Sequence, residues 1–205
     1  MLKIVSAIVF VSLLSFSPVV VATENNSAGI ELNGGITGCL GSYCESGTPF
    51  LGGGITPIVR TGKNIALGFN FQYGTFKDDS LDSVYYYSFG LEGRYYFNLT
   101  SSISIYTGAQ LNYTTLMINV GEDSDKDFSD LRATGPGFSV LAGLEFAVTK
   151  SFNVGFNLRY SYPIWSEACF TADQLRICRE PQDSDIKLEL MPFFAGITLS
   201  YLLPE

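Results

Sequence analysis

The chain has no histidine at all. Histidine is the usual general base and the middle member of hydrolytic triads, so neither scheme can be written here. A Ser–Lys pair would be the remaining nucleophilic device. Beyond the leader, only Lys63, Lys77, Lys126, Lys150 and Lys187 are available for it. Lys63 and Lys150 fall in tight turns, and Lys77 and Lys126 in loops. An enzyme is therefore not expected. In EDSDKD, Asp123, Asp125 and Asp127 copy the opening of a calcium loop. Phe128 then stands where that loop needs glycine, and Thr134 stands where it needs a bidentate glutamate. The stretch reads as a solvated acidic loop that attracts divalent ions loosely. No cofactor and no specific metal site are expected.

The four cysteines fall in two places, Cys39 with Cys44 and Cys169 with Cys178. Four cysteines allow three pairings. Local pairing is the first expectation, and a staple between the two regions stays open. Neither spacing is that of a CxxC redox motif. A third group is made of isolated charges set among small and polar residues: Glu31, Glu92, Arg94, Glu145 and Arg159. Arg60, Lys187 and Glu189 share their pattern. What these charges can do depends on the elements that carry them.

Those elements are strands. In FNVGFNLRYSYPIW, every even position from Phe152 to Ile164 is apolar or aromatic. The odd positions are Asn153, Gly155, Asn157, Arg159, Ser161 and Pro163. Such alternation marks a strand with two unlike faces. It recurs eight times, at roughly 28–38, 49–60, 64–76, 83–97, 102–117, 134–148, 152–165 and 186–202. The turns at 61–63, 98–101 and 149–151 are short, and those at 39–48, 77–82, 118–133 and 166–185 are long. Long and short connections thus gather at opposite ends of one sheet. An even number of strands with adjacent termini permits closure, which removes exposed edges. A change of phase at Met191-Pro192 reads as a β-bulge.

One face of this sheet is large and apolar, the other small and polar with few charges. A soluble ligand-binding barrel would carry its apolar face inside and many charges outside. Here charged residues are only 16 % of the chain, which fits a narrow filled lumen and a lipid-facing exterior. The strands reach the about 9–11 residues that a tilted crossing needs. Aromatic residues cluster near both strand ends, with Tyr73, Tyr85, Tyr87, Tyr113, Tyr160, Tyr162 and Trp165 at the long-loop end. Tyr95, Phe97, Phe146, Phe152 and Tyr201 lie at the other. Two belts at the two interfaces are expected of such rings. The fold class is all-β, an eight-stranded antiparallel up-and-down transmembrane β-barrel.

Residues 1–22, MLKIVSAIVFVSLLSFSPVVVA, have a lysine, an apolar run and a small-residue end, as in a cleaved secretory signal. Residues 23–205 form the barrel domain. Export places the cysteines in an oxidising compartment, where disulfides persist. A net charge of −8 without a basic cluster argues against nucleic-acid binding.

With these features the chain resembles the small eight-stranded outer-membrane barrels: the transmembrane domain of the OmpA type and its opacity-protein and OmpX-like relatives. The ending GITLSYLL, Gly196 to Leu203, looks like the terminal strand that barrel-assembly machinery reads, although the chain continues to Glu205. The resemblance implies a place in the outer membrane of a Gram-negative bacterium, among membrane lipids and lipopolysaccharide. It also implies that the long loops face outward. Most acidic residues lie in those loops. The expected function is a surface protein whose stapled acidic loops serve recognition of a surface protein or host ligand, adhesion or envelope integrity. Asp125, Phe128 and Phe170 are loop residues of interest for that role. A narrow channel for small solutes, lined by residues such as Arg94 and Glu145, is the alternative. A lipid-modifying enzyme comes third.

Overall fold

The computed structural model describes residues 26–40, 48–62, 64–78, 81–119, 130–172, 175–179 and 191–203. Ten strands follow in chain order: β1 (Asn26–Leu40), β2 (Thr48–Thr61), β3 (Ile65–Asp78), β4 (Leu81–Asn98), β5 (Ile103–Asn119), β6 (Asp130–Ala147), β7 (Phe152–Pro163), β8 (Glu167–Ala172), β9 (Leu175–Arg179) and β10 (Met191–Leu202). Eight of them, β1 to β7 and β10, close into an antiparallel barrel. From β1 to β7 each pairs with the next in sequence, β10 pairs with β7 past β8 and β9, and β10 returns to β1 from Gly29↔Leu202 to Leu40↔Met191.

The short turns are built by local chemistry. In the β2–β3 turn Gly62 sits at φ 65°, where a side chain would be strained. The β4–β5 and β6–β7 turns share a device. Thr100 Oγ1 accepts from the Ser102 and Ile103 amides, and Thr149 Oγ1 does so from Ser151 and Phe152. Each threonine hydroxyl thereby stands in for a backbone acceptor.

The alternation decides which way each strand faces. Leu111, Leu91, Leu67 and Ile197 lie outside and are 73%, 68%, 59% and 59% exposed. Their neighbours Gln110, Glu92, Ala66 and Thr198 are buried in the lumen. The lumen is stoppered by apolar side chains near both ends. Near the short turns Ile58, Ala66, Tyr96, Tyr106 and Leu141 pack together. Near the long loops Cys39, Val84, Tyr86, Leu116, Ile118, Ala133 and Trp165 form a collar.

Several expectations change. The segment 166–185 was expected to be loop, yet it holds the hairpin β8–β9. Its first strand pairs with Asp130–Thr134 of β6, so the sheet extends beyond the barrel wall. The segment 77–82 is no long loop either, because β3 and β4 pair as far as Asp78↔Leu81. Outside the lipid, strand pairing needs no apolar alternation, and for that reason the sequence pattern faded before the strands ended. Likewise β6 begins at Asp130 rather than 134. Trp165 does not join the aromatic belt but enters the collar, 7% exposed. Its odd position already placed it on the lumen side, opposite Tyr162 and Ile164. Met191 and Pro192 pair with Leu40 and Cys39 in the same register as the rest of β10, so no bulge falls on them. Residues 186–190, on whose phase the bulge rested, lie outside the described residues, as do residues 1–22.

Candidate functional site

The isolated charges of the sequence meet along the lumen. Glu31 (β1), Arg60 (β2), Glu92 and Arg94 (β4), Glu145 (β6) and Arg159 (β7) come from five strands. Each lies on the inward phase of its strand, and all but Arg60 are buried. The lowest rung, nearest the short turns, joins Arg60 to Glu145. Arg60 Nη2 donates to both carboxylate oxygens at 2.6 and 2.7 Å. Asn153 Nδ2 donates to the same carboxylate at 3.1 Å. The Arg60 guanidinium also lies over the Tyr96 ring, 4.6 Å from its centroid.

The next rung is bidentate. Arg94 donates through Nη1 and Nη2 to the two oxygens of Glu31 at 2.7 and 2.6 Å. The Ser200 hydroxyl donates to Glu31 as well, at 3.2 Å. Through Nε, Arg94 reaches Glu92 Oε1 at 2.5 Å. Its flat face covers the Tyr106 ring at 4.8 Å. Glu92 then turns its other oxygen to Arg159 Nη2 at 2.5 Å. Arg159 Nη1 donates onward to Gln110 Oε1 at 2.9 Å and to Asn70 Oδ1. Asn70 finally donates to Thr56 Oγ1 at 2.8 Å.

Three glutamates and three arginines therefore form a charge-balanced ladder of four ion pairs. The side chains of Glu31, Glu92 and Arg94 are each 1% exposed. A buried charge without a partner is strongly destabilising, and the bidentate and shared pairings leave none alone. Such an arrangement holds the wall together from within. Chemically it has neither a nucleophile with a base nor a metal donor set. Lys187 and Glu189, expected with these charges, lie outside the described residues.

The cysteines occupy the long-loop end. Cys169 and Cys178 are directly opposed across the β8–β9 hairpin and joined by a disulfide, with Cα atoms 4.0 Å apart. That bond lies within the last loop rather than between loops. Cys39 is also disulfide-bonded, and Cys44 lies outside the described residues. The Glu167 carboxylate comes within 4.8 Å of both hairpin sulfurs. Sulfurs bonded to each other offer no thiolate, so the group does not hold a metal in this state. Phe170 sits on β8, opposite Ile177 and Leu131. The acidic run around Asp125 and Phe128 lies outside the described residues.

The strand reading found the charges because parity is visible in sequence, but it could not pair them. Pairing depends on register, and β1 meets β4 only across the lumen. It also missed the collar, whose members Val84, Leu116 and Ile118 look like ordinary strand residues unless their phase is followed past the membrane.

A family model for the outer membrane protein beta-barrel domain matches residues 6–177. Among solved structures, Neisserial surface protein A aligns with a TM-score of 0.60 at 18% identity, over 87% of this chain and 99% of that one. A major outer membrane protein of Thermus thermophilus aligns with a TM-score of 0.64 at 10% identity, over 87% and 100%. Ail, the attachment invasion locus protein of Yersinia pestis, aligns at 0.53 with 8% identity, over 87% and 99%. At such identities the likeness is one of fold. No curated protein matches the sequence. A closed eight-stranded barrel with an apolar exterior, matched by this model over most of its length, belongs to the outer membrane protein beta-barrel family and resides in the bacterial outer membrane.

Proposed function

We propose that this protein is a non-enzymatic surface barrel whose lumen is a structural plug and whose long-loop end carries the function. The ladder supports the first half of that reading. Four ion pairs and their amide partners cross the lumen, interleaved toward the short turns with Ile58, Ala66, Tyr96, Tyr106 and Leu141 and capped toward the long loops by the collar. A barrel of eight strands leaves an interior that side chains can fill. The absence of histidine from the sequence removes the commonest general base.

The β8–β9 hairpin supports the second half. It projects beyond the barrel wall, is braced on β6 and is locked by Cys169–Cys178. A rigid scaffold that carries shaped loops suits recognition, because little ordering remains to be done on binding. Its partner is a surface protein or host ligand outside the cell, while the barrel sits among lipids and lipopolysaccharide. Residues 1–22 act as the cleaved signal, so the mature protein begins at Thr23.

Conductance of the refolded protein in a planar lipid bilayer tests the plug. A silent bilayer is expected from protein whose heat-sensitive gel migration proves it folded. Discrete steps that vanish on Glu145→Gln or Arg159→Ala would make the lumen a channel and overturn the reading.

A further inference from the structure

The outer wall carries a groove of about 400 Å³ where β5, β6, β7 and β10 lie side by side. Its outward lining is Thr107, Val140, Ala142, Leu158, Tyr160 and Phe193. The residues that alternate with them, Leu141, Arg159 and Phe194, are buried on the lumen side. The depression comes from small residues. Thr107, Ala142, Leu158 and Ala195 are successive partners across the four strands, and all but Leu158 are short. Toward the short turns the next outward row is Ile105, Leu144, Phe156 and Ile197, all large. That row closes the groove below. Val140, Tyr160 and Phe193 carry it one step toward the long loops.

The side walls are tied back from this space. Tyr160 OH donates to Met191 Sδ at 2.7 Å, which holds that ring along β10. The Phe193 ring lies over Gly38 of β1, where a Cβ would run into it. Both hydroxyls of the outward lining are engaged, Tyr160 with Met191 and Thr107 Oγ1 with the Leu141 carbonyl at 3.3 Å. Water needs two or more polar partners to stay in such a place, and apolar hollows stay dry. An empty hollow also forfeits the dispersion contacts of its lining. The volume lies within the range of about 300–1,000 Å³ typical of ligand sites.

We propose that this groove seats one hydrocarbon chain of a membrane lipid from the leaflet on the long-loop side. The wall here faces lipid, since the exterior is apolar and the protein resides in the outer membrane. Ala142 stands four residues from Phe146 of one aromatic belt. It stands four residues also from Phe138, which stacks on Tyr162 of the other belt. The floor is thus midway between the two interfaces, at a depth that hydrocarbon fills and headgroups do not reach. Val140, Tyr160 and Phe193 lie on the long-loop side of that floor, so the chain descends from there. Its methyl end rests at Ala142, and its middle passes Tyr160 and Phe193. A preformed groove needs little ordering to take the chain, so the seated chain exchanges more slowly than lipids that merely surround the barrel.

Photolabelling tests this. The full chain is refolded into phosphatidylcholine vesicles in which some acyl chains carry a diazirine. Light expels dinitrogen from the diazirine, and the carbene left behind inserts into a nearby C–H bond. Mass spectrometry then maps the label. Leu91 and Leu111 serve as controls, because at 68% and 73% exposed they offer lipid more surface than Val140 or Leu158, at 51% and 49%. Label should nevertheless be several-fold higher at Val140–Ala142 and Leu158–Tyr160 than at either control. Ala142→Leu fills the groove and should abolish that excess in protein that still migrates as folded, and Thr107→Leu does the same should the first variant fail to fold. Label that simply follows exposure, with Leu111 foremost, would overturn the site, and so would an excess that survives both filling variants. A diazirine at the chain end should mark Ala142, and one at mid-chain Tyr160. The reverse order would overturn the assignment to the long-loop leaflet. Dimers in the vesicle that vanish with Ala142→Leu would give the groove to a second copy of the chain instead.

Discussion

Glu92 is the residue where the ladder branches, since one of its oxygens takes Arg94 and the other Arg159. Glu92→Gln would leave Arg159 with only neutral amide acceptors among its described partners, while Arg94 keeps Glu31. Breaking a buried pair by removing one partner costs about 3–5 kcal/mol. We expect the urea midpoint of the refolded barrel to fall accordingly for Glu92→Gln, and less for Arg60→Gln, whose side chain is 20% exposed. Equal midpoints for the two variants would contradict the ranking. At this scale the sequence was legible as far as phase. Odd and even positions sorted Glu31, Arg94 and Arg159 inward without any coordinates. The same rule would have turned Trp165 inward, had ring chemistry not been allowed to outweigh position. Partner choice was not legible, because it is set by stagger between strands far apart in sequence.

The hairpin β8–β9 shows what a strand looks like once it leaves the membrane. Glu167–Ala172 and Leu175–Arg179 are short, and neither has the long apolar alternation of the barrel strands. The signal that was present lay in the cysteines, nine residues apart and set to face each other across a turn. Closing a short loop of this kind contributes up to about 3 kcal/mol by constraining the unfolded chain. That contribution is local. Replacing both cysteines by serine should leave the barrel's unfolding midpoint unchanged while exposing residues 167–179 to protease, as mass spectrometry of the fragments would report. A matching loss of barrel stability would mean that the hairpin braces the wall rather than riding on it. The glycines make the opposite case. A Cβ at Gly35 would press on the backbone of Ala195 and Gly196 in the neighbouring strand. Gly35→Ala should therefore lower the yield of heat-sensitive folded protein, whereas Gly34→Ala, with open space around it, should not.

For the molecule as a whole, the decisive quantity is how much apolar surface faces outward. Residues such as Leu91, Leu111 and Ile197 would be a liability in water, and in lipid they are the solvent-facing side of a stable wall. An arginine on the lipid face costs about 2–4 kcal/mol at the bilayer midplane. Leu111→Arg should destabilise the barrel by that order in lipid vesicles, read as a shift in the denaturant midpoint. A change of a few tenths would place Leu111 away from the midplane. The architecture was the most legible level of all, because it rests on a pattern repeated eight times, and chance errors at strand ends do not alter closure.

Closure also dictates timing. Six of the seams in this ring join strands that follow one another directly along the chain, one joins β7 to β10 past the hairpin, and one joins β1 to β10. The ring is like a garment whose last stitch falls between its first and last panels. Until β10 has been made and delivered, β1 presents a bare row of amides and carbonyls, and lipid offers them nothing to bond. The unfinished sheet must therefore be chaperoned or held at an edge until its two ends meet. A lesion along the facing run from Gly29↔Leu202 to Leu40↔Met191 would halt every molecule at the same open stage, whatever the soundness of the other seams.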